Sequence, residues 1–305
     1  MDILTIILII SGLALFETVS SIDNAIINAE VLTTMSQKAK RWFLVWGMIS
    51  SVFLVRGLLP FLIIFLTNPS LGPLGVITAT FSNDPHTAES IEKSAPILLM
   101  GGGVFLLFLF FHWLFLEPKN YGLRGEQLVE KYGVWFYAIV SIILSLIVWF
   151  ALKQNAMLAF GAVIGSTVFF ITHGFKQNAQ AQEKKLMTAG RSDISKILYL
   201  EAIDATFSID GVLGAFAFTL SVPLILLGNG LGAIVVRQLT IGNIERVKKF
   251  IYLKNGAMYS ILALGTIMVL EGFGFHIPPW LSPIVTALAV GYFFLKSHKA
   301  LALAP

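Results

Sequence analysis

Two acidic residues six positions apart occur twice in this sequence, each time inside a long apolar stretch. The first copy runs from Glu17 to Asp23 and the second from Asp204 to Asp210. Both copies have Ser-Ile directly before the second acid, and superposing the Ser-Ile-Asp triplets gives an offset of 187 residues. Carboxylates inside apolar segments are costly and mark ion or proton pathways, so these four acids are the first candidates for a functional site.

The polar residues around the acids supply only oxygen ligands. Asn24 follows the first triplet, and four side chains can support the acids: Ser21, Asn28, Glu201 and Ser208. Such a set suits hard cations such as Mg²⁺, Mn²⁺ and Ca²⁺, whereas Zn²⁺ and Cu⁺ prefer histidine and thiolate. The chain contains no cysteine. We therefore expect a hard divalent cation as substrate and no organic cofactor.

Helical periodicity separates the two acids of each copy. Glu17, Asn24 and Asn28 follow a three-to-four spacing, with Ser20 or Ser21 between them, and therefore share one helix face. The second acid of the copy lies about 240° around the helix from the first. Either the helix unwinds locally, as glycines after the second triplet would allow, or each acid faces a different neighbour.

A shared ion requires the acids of the two copies to converge. We expect their carboxylates to approach within about 5 Å, close enough for direct ligation of one ion. One arginine follows each copy, Arg56 and Arg237, and these two can balance the charge of four acids. If Asp23 and Asp210 instead lay on opposite flanks, each with its own partner, the metal hypothesis would lose its basis.

The composition places these stretches in a membrane. Apolar residues make up 56% of the chain, charged residues 12%, and the mean hydropathy is +0.82, which excludes disorder and disfavours a soluble domain. A helix needs about 20 apolar residues to cross the hydrocarbon core. Nine segments are predicted to span the membrane: Ile3–Val31, Phe43–Leu66, Ile97–Leu116, Val134–Leu152, Ala156–His173, Ile194–Leu220, Pro223–Ile241, Tyr252–Leu270 and Leu281–Leu295.

Basic residues predict the orientation of these spans. Seventeen of the 21 Lys and Arg residues fall in alternate loops and the C-terminal tail, on one side, which predicts an outside N-terminus and a cytoplasmic C-terminus. Because these basic residues lie on one side of the membrane, the positive net charge does not indicate nucleic-acid binding. Spans one and six then run in opposite directions, as in the inverted repeats of secondary transporters. The predicted fold class is an all-α, polytopic transmembrane helix bundle with an inverted repeat.

Three regions follow from the repeat. Residues 1–175 hold the first repeat with extra spans, residues 176–193 form a cytoplasmic loop, and residues 194–305 hold the second, inverted repeat. The outer loop, residues 67–95, contains Asp84 and His86. It is predicted to be a solvated loop, with collection of external cations as the alternative.

The repeat and its surroundings resemble the TerC family of integral membrane proteins, which is grouped with the LysE-type exporter superfamily. The residues that carry the resemblance are Glu17-x5-Asp23-Asn24-Ala25, Asp204-x5-Asp210-Gly211-Val212 and the arginine after each copy. The resemblance implies export of divalent cations, chiefly Mn²⁺. It implies a metal-binding role for Glu17, Asp23, Asn24, Asp204 and Asp210.

The leading hypothesis is a secondary transporter, not an enzyme, that exports Mn²⁺ or a similar ion across the cytoplasmic (inner) membrane. Its expected partners are the lipid bilayer and the metal ion, and the sequence leaves a homo-oligomer open. One alternative is a helper of membrane-protein assembly or insertion without transport activity. Another is an intramembrane aspartyl protease in which Asp23 and Asp210 share a proton, although two further acids would then be unexplained.

Overall fold

The computed structural model describes residues 2–47, 50, 56–67, 72–81, 85–188 and 192–303. Regular structure in this part of the chain is entirely helical, with π-helical turns at Phe43–Gly47 and Leu239–Asn243 and a 3-10 turn at Gly133–Trp135. Its fourteen α-helices are α1 (Ile3–Ser20), α2 (Ile22–Thr33), α3 (Gln37–Trp42), α4 (Arg56–Thr67), α5 (Gly72–Phe81), α6 (Pro85–Leu116), α7 (Glu126–Lys131), α8 (Phe136–Leu152), α9 (Ala156–Thr188), α10 (Asp193–Ala215), α11 (Val222–Gln238), α12 (Ile244–Lys248), α13 (Leu253–Gly272) and α14 (Leu281–Ala302).

Six segments of the described chain are long and apolar enough to cross a bilayer. They are Ile3–Ser20, Ser94–Leu116, Gly133–Leu152, Ala156–Asn178, Val222–Gly242 and Leu253–Gly272. The protein is therefore a multi-pass membrane protein built as a polytopic helical bundle. The predicted sixth and ninth spans are the long helices α10 and α14, which fall outside this set, and the predicted second span extends beyond the described residues.

The two copies of the repeat differ in the course of their helices. The predicted first span is not one helix, because α1 ends at Ser20 and α2 begins at Ile22, so the helix is interrupted between Glu17 and Asp23. In the second copy α10 is continuous from Asp193 to Ala215, so the alternative of local unwinding does not hold there. The segment predicted as a cytoplasmic loop is partly helical, since α9 continues to Thr188. The segment predicted as a solvated outer loop, residues 67–95, is also partly helical, because it contains α5 and the start of α6. The side chains of residues 79–93 lie outside the described part of the structure.

Helix α6 lies at the centre of the apolar core, packed between α9 and α13. Close approach of α6 and α9 depends on glycine, because a methyl group added at Gly165 would overlap the carbonyl oxygen of Gly101. Small residues have this role in membrane helix packing, where two apolar surfaces gain little from leaving lipid. Glycine at positions 101 and 165 therefore permits the close contact between α6 and α9.

Charged residues collect at one end of the bundle. Lys248 of α12 pairs with Glu30 near the end of α2 at 3.1 Å, and Lys119 pairs with Glu130 at 3.5 Å. Lys196 near the start of α10 donates to the backbone oxygen of Thr34 at 2.8 Å. These contacts join the end of α2, the start of α10 and the loops after α6 and α11, so they belong to the same end of the bundle.

A buried acid that the sequence patterns do not single out connects the elements at this end of the bundle. Glu126 of α7 is 1% exposed and accepts hydrogen bonds from the Gly122 backbone N–H at 2.6 Å, Asn255 at 3.0 Å and Tyr259 at 3.0 Å. A buried carboxylate is tolerated when its oxygens are hydrogen-bonded in this way. Glu126 therefore ties the loop after α6 to helix α13.

Replacing Gly165 by alanine should separate α6 from α9. We expect Gly165→Ala to lower the free energy of unfolding by about 1–3 kcal/mol, the usual cost of overpacking, as measured by denaturant unfolding in detergent. Gly174→Ala is the matched control on the same helix, because an added methyl group there meets open space. It should be neutral, or stabilising by up to about 1 kcal/mol through helix propensity. Equal destabilisation of both variants would remove the packing argument.

Candidate functional site

Helices α1 and α2 run antiparallel to α10. Asn24 of α2 hydrogen-bonds Asp204, while Glu17 of α1 lies against Gly211, where an added methyl group would come 2.8 Å from Glu17 Oε2. Phe16 packs still further along α10, against Gly214. Later positions on α1–α2 thus meet earlier positions on α10, so the two copies of the sequence repeat lie side by side in opposite directions.

A continuous stripe of buried polar side chains follows this contact, and we call it the polar seam. Its members are each less than 9% exposed: Glu17, Ser21, Asn24, Asn28, Asp204 and Ser208. Those from α1 and α2 are the residues that the three-to-four spacing places on one face. The residues of that shared face therefore do point into the protein.

The centre of the polar seam is Asp204 with its two amide partners. Its Oδ1 accepts hydrogen bonds from Asn24 Nδ2 at 2.6 Å and Asn28 Nδ2 at 2.9 Å. Both amide nitrogens are thereby satisfied, but Asn24 Oδ1 and Asn28 Oδ1 are buried without a hydrogen-bond donor. Two acceptors are thus left beside a carboxylate. Ser208 donates to the Asp204 backbone oxygen at 2.6 Å.

Glu17 occupies the other end of the polar seam. Ser21 Oγ donates to Glu17 Oε1 at 2.6 Å. The carboxylate side chain fits between two glycines, Gly211 of α10 and Gly232 of α11, at both of which an added methyl group would overlap it. A larger residue at either glycine would occupy the space that Glu17 needs, so these glycines position the acid.

The two seam acids lie at different levels of the bundle. Asp204 meets Asn24, and Glu17 meets Gly211, so the two contacts are seven residues apart on each chain segment, about 10 Å of helical rise. Ser21 and Ser208 lie between these levels. Within the described residues, no group of three or more His, Asp or Glu side chains could hold a metal ion. A metal ion in the polar seam would therefore need amide or hydroxyl oxygens as well.

Asp23 and Asp210 are not in the polar seam, because each forms an ion pair with a lysine. Asp23 Oδ2 lies 2.7 Å from Lys254 Nζ, and Asp210 pairs with Lys176. Lys254 also contacts Glu117 at 2.8 Å. Two acids of the repeat therefore lie in the polar seam and the other two pair with lysines. The sequence had predicted that all four would converge on one ion.

The sequence does not predict the lysine pairs, because Lys176 and Lys254 count among the loop residues that predict the orientation of the spans. Lys176 follows the predicted end of span five and Lys254 lies at the predicted start of span eight. Helix α9 continues past Lys176, so its side chain can reach back into the bundle, where its ammonium group also lies 4.7 Å from the Phe207 ring centroid. The sequence signal that could have indicated these ion pairs is a basic residue within one helical turn of a predicted span end.

Of the two predicted charge-balancing arginines, Arg237 alone has a side chain within the described residues. The side chain of Arg56 lies outside the described residues. Arg237 has no ion pair among the described residues, and its Nε is buried without a hydrogen-bond partner. Glu201, a predicted supporting ligand, has a buried Oε1 without a partner and lies beside Gly47 rather than in the polar seam.

Two cavities adjoin the lysine pairs. The first has a volume of about 550 Å³ and is lined by Asp23, Glu117, Lys176 and Lys254 among others. The second, of about 210 Å³, shares Asp23 and Lys254 with the first. Asp23 and the partner of Asp210 therefore face one cavity, so the two lysine pairs are not on opposite flanks of the bundle.

Glu117 is held ionised at this position. Burial would raise its pKa, but the hydrogen bond with His112 and the positive charge of Lys254 outweigh burial and hold the pKa of Glu117 well below its ordinary value. At neutral pH the group Asp23–Lys254–Glu117 therefore contains two carboxylates and one ammonium group.

Comparison with known proteins changes the family assignment. The model of the family described as "Protein of unknown function (DUF475)" matches residues 22–300. No curated protein and no solved structure matches the chain. The assignment to TerC is therefore wrong, because it rested on a few residues of the repeat while the family match covers most of the chain. The metal-binding roles that TerC implied must rest on the geometry alone.

The depressed pKa of Glu117 predicts how stability depends on pH. A carboxyl group with a lowered folded-state pKa stabilises the fold fully above its ordinary value of 4.5, and this contribution is lost as the pH falls toward the folded value. Glu117→Gln should lower the free energy of unfolding at neutral pH by about 1–2 kcal/mol, after discounting for partial exposure. Below pH 4.5, the free energy of unfolding of Glu117→Gln should fall less steeply with decreasing pH than that of the parent protein.

Denaturant unfolding of the purified protein across this pH range measures both effects. Glu245→Gln is the control, because Glu245 is 80% exposed and, within the described part of the chain, pairs only with Lys248 of its own helix. It should reproduce the parent pH profile. A Glu117→Gln profile identical to that of the control would show that the Lys254 contact does not stabilise the fold.

Proposed function

The chain belongs to the DUF475 family, whose function is unknown, and from the geometry of its own residues we propose that it is a secondary transporter exporting a hard divalent cation. Mn²⁺ is the first candidate substrate. The polar seam is the proposed ion path, with Asp204, Asn24 and Asn28 as the main binding level and Glu17 with Ser21 as the second.

The observation that carries this proposal is the pair of donorless amide oxygens beside Asp204. A buried acceptor without a donor costs about 1–3 kcal/mol, and the protein holds two of them, on Asn24 and Asn28, next to one carboxylate. If the two amide groups turned so that their oxygens faced Asp204 in place of their nitrogens, a cation bound there would be coordinated by all three groups and would remove that cost. Carboxylate and amide oxygens are the ligands that hard divalent ions prefer.

The antiparallel packing of the two repeat copies supports an inverted-repeat transporter, in which the substrate site lies between the copies near the bilayer midplane. The one-sided distribution of basic residues supports nine spans with an outside N-terminus and a cytoplasmic C-terminus in the cytoplasmic membrane. In that orientation the charged end of the bundle and both cavities face the cytoplasm, the side from which an exporter loads.

The lysine pairs argue against the protease hypothesis. An aspartyl dyad needs two carboxyl groups that share one proton, whereas Asp23 and Asp210 each contact a different ammonium group. No observation on the described residues favours the assembly-helper hypothesis over transport, and the flux experiment distinguishes the two.

Mn²⁺ flux in liposomes tests the proposal. The purified protein is reconstituted around a metal-sensitive dye, and initial rates are compared for the parent, Asp204→Asn and Glu17→Gln. We expect each variant to lose at least about tenfold in rate, since removing one charged ligand costs more than about 1.4 kcal/mol. Asp193→Asn is the matched control, because Asp193 is a partly exposed acid at the start of the same helix as Asp204 and lies outside the polar seam, where it accepts a hydrogen bond from Ser36.

The outcomes separate the hypotheses. Equal flux in the parent and Asp204→Asn would remove the polar seam from the mechanism. No flux of Mn²⁺, Mg²⁺ or Ca²⁺ by the parent, together with no cation-dependent rise in its thermal stability, would favour the assembly helper. Bound cation should raise the unfolding temperature of the parent by mass action, and Asp204→Asn should abolish that rise.

A further inference from the structure

Two histidines face each other in the wall of the first cavity. His112 of α6 and His173 of α9 have ring centroids 3.9 Å apart, with an angle of 53° between the rings. Both rings line the cavity, while Phe136 and Phe169 pack around them. We call His112 and His173 the histidine pair. The polar seam does not include it, so the proposed ion path leaves it without a role.

The hydrogen bonds of the histidine pair define where a proton can bind. His112 Nδ1 lies 3.3 Å from Glu117 Oε1, and because an ionised carboxylate only accepts, this ring nitrogen carries hydrogen. His173 Nε2 lies 2.9 Å from Gln177 Nε2, and because an amide nitrogen only donates, this ring nitrogen has a free lone pair. His173 is therefore neutral in this arrangement.

Gln177 can serve both protonation states of His173. Its amide nitrogen donates to the neutral ring in the present arrangement. If the amide group turned by half a rotation, its carbonyl oxygen would accept from a protonated Nε2. Glu117 in turn stabilises a positive charge on His112 through the same contact at Nδ1. Each imidazole thus has a partner suited to its charged form.

The charges around the histidine pair leave room for one proton. The groups that face it from neighbouring helices are three carboxylates and two ammonium groups, joined in lysine pairs: Asp23 and Glu117 with Lys254, and Asp210 with Lys176. The nearby Lys119–Glu130 pair adds no net charge. One imidazolium would make the cluster neutral, whereas two imidazolium rings in contact would repel each other.

We propose that His112 and His173 form a site for a single proton, shared by the pair and exposed to the first cavity. Protonation of either ring blocks protonation of the other, so the pair titrates as one unit. The first proton binds His112, whose Nδ1–H already contacts Glu117, and leaves His173 neutral on Gln177. In the transporter role, which rests on the proposed function, this proton is the one exchanged for the exported cation.

Histidine NMR tests the proton site without any transport assay. The protein is labelled with ¹⁵N-histidine in lipid nanodiscs and titrated from about pH 8 to about pH 5. The parent should show one titrating ring of the pair while the other stays neutral. In His112→Gln, His173 should become the titrating ring, and in the double variant His112→Gln/His173→Gln this proton equivalent should be lost.

His276→Gln is the control, because His276 is exposed and its loss should leave both rings of the pair unchanged. Independent protonation of both rings, or no protonation of either in the parent, would overturn the proposal. Because the titration of the parent protein is sufficient to test the proposal, the test does not depend on whether every variant folds.

The coupling role has a separate readout. In liposomes of the parent, a Mn²⁺ gradient should drive the movement of one proton in the opposite direction for each Mn²⁺ ion. The double variant should lose this proton movement but keep the Mn²⁺-dependent rise in unfolding temperature. Proton movement equal to the parent in the double variant would overturn the coupling role. A single-proton NMR titration without any Mn²⁺ flux would refute the proposed function and leave the proton site intact.

Discussion

The cost of holding charge inside an apolar bundle governs the arrangement of this protein. Translocon scales place an acid at the centre of a membrane helix at about 2.5–3.5 kcal/mol, and the repeat carries four acids. Each is neutralised or solvated by a nearby group, and those groups are of two kinds. Amides and hydroxyls surround the seam acids, whereas lysines pair with the other two. Which kind of partner an acid has decides what it can bind.

An acid paired with lysine and an acid bound to amides behave differently toward a cation. The ammonium group of Lys254 or Lys176 already occupies the position a metal ion would take beside its carboxylate. By contrast, the Asn24 and Asn28 amides that contact Asp204 keep their own oxygens without donors. The polar seam therefore offers buried oxygen acceptors, while Asp23 and the lysines of both pairs line the first cavity.

The shared face of the polar seam could be predicted from sequence because it depends on local periodicity alone. Glu17, Asn24 and Asn28 are spaced for one face, and the structure buries all three. The lysine partners could not be predicted in the same way, because each comes from a different helix than its acid: Lys254 of α13 for Asp23, and Lys176 of α9 for Asp210. The spacing of the acids left local unwinding open, but it could not place the break at Ser21, since the apolar pattern continues through it.

The repeat is symmetric in its acids but not in their surroundings, and this difference gives the polar seam a direction. An offset of 187 residues aligns Asn24 with Gly211 and Asn28 with Ala215. Asp204 therefore faces two amides across the helix contact, whereas Glu17 faces a glycine that leaves space for its longer side chain. Two identical halves would bind an ion equally at both levels. Because the first copy has the amides and the second copy does not, the two levels differ in the side chains that they offer. In the proposed transport role, an ion moving between them would exchange an amide-rich level for one built from Glu17 and Ser21.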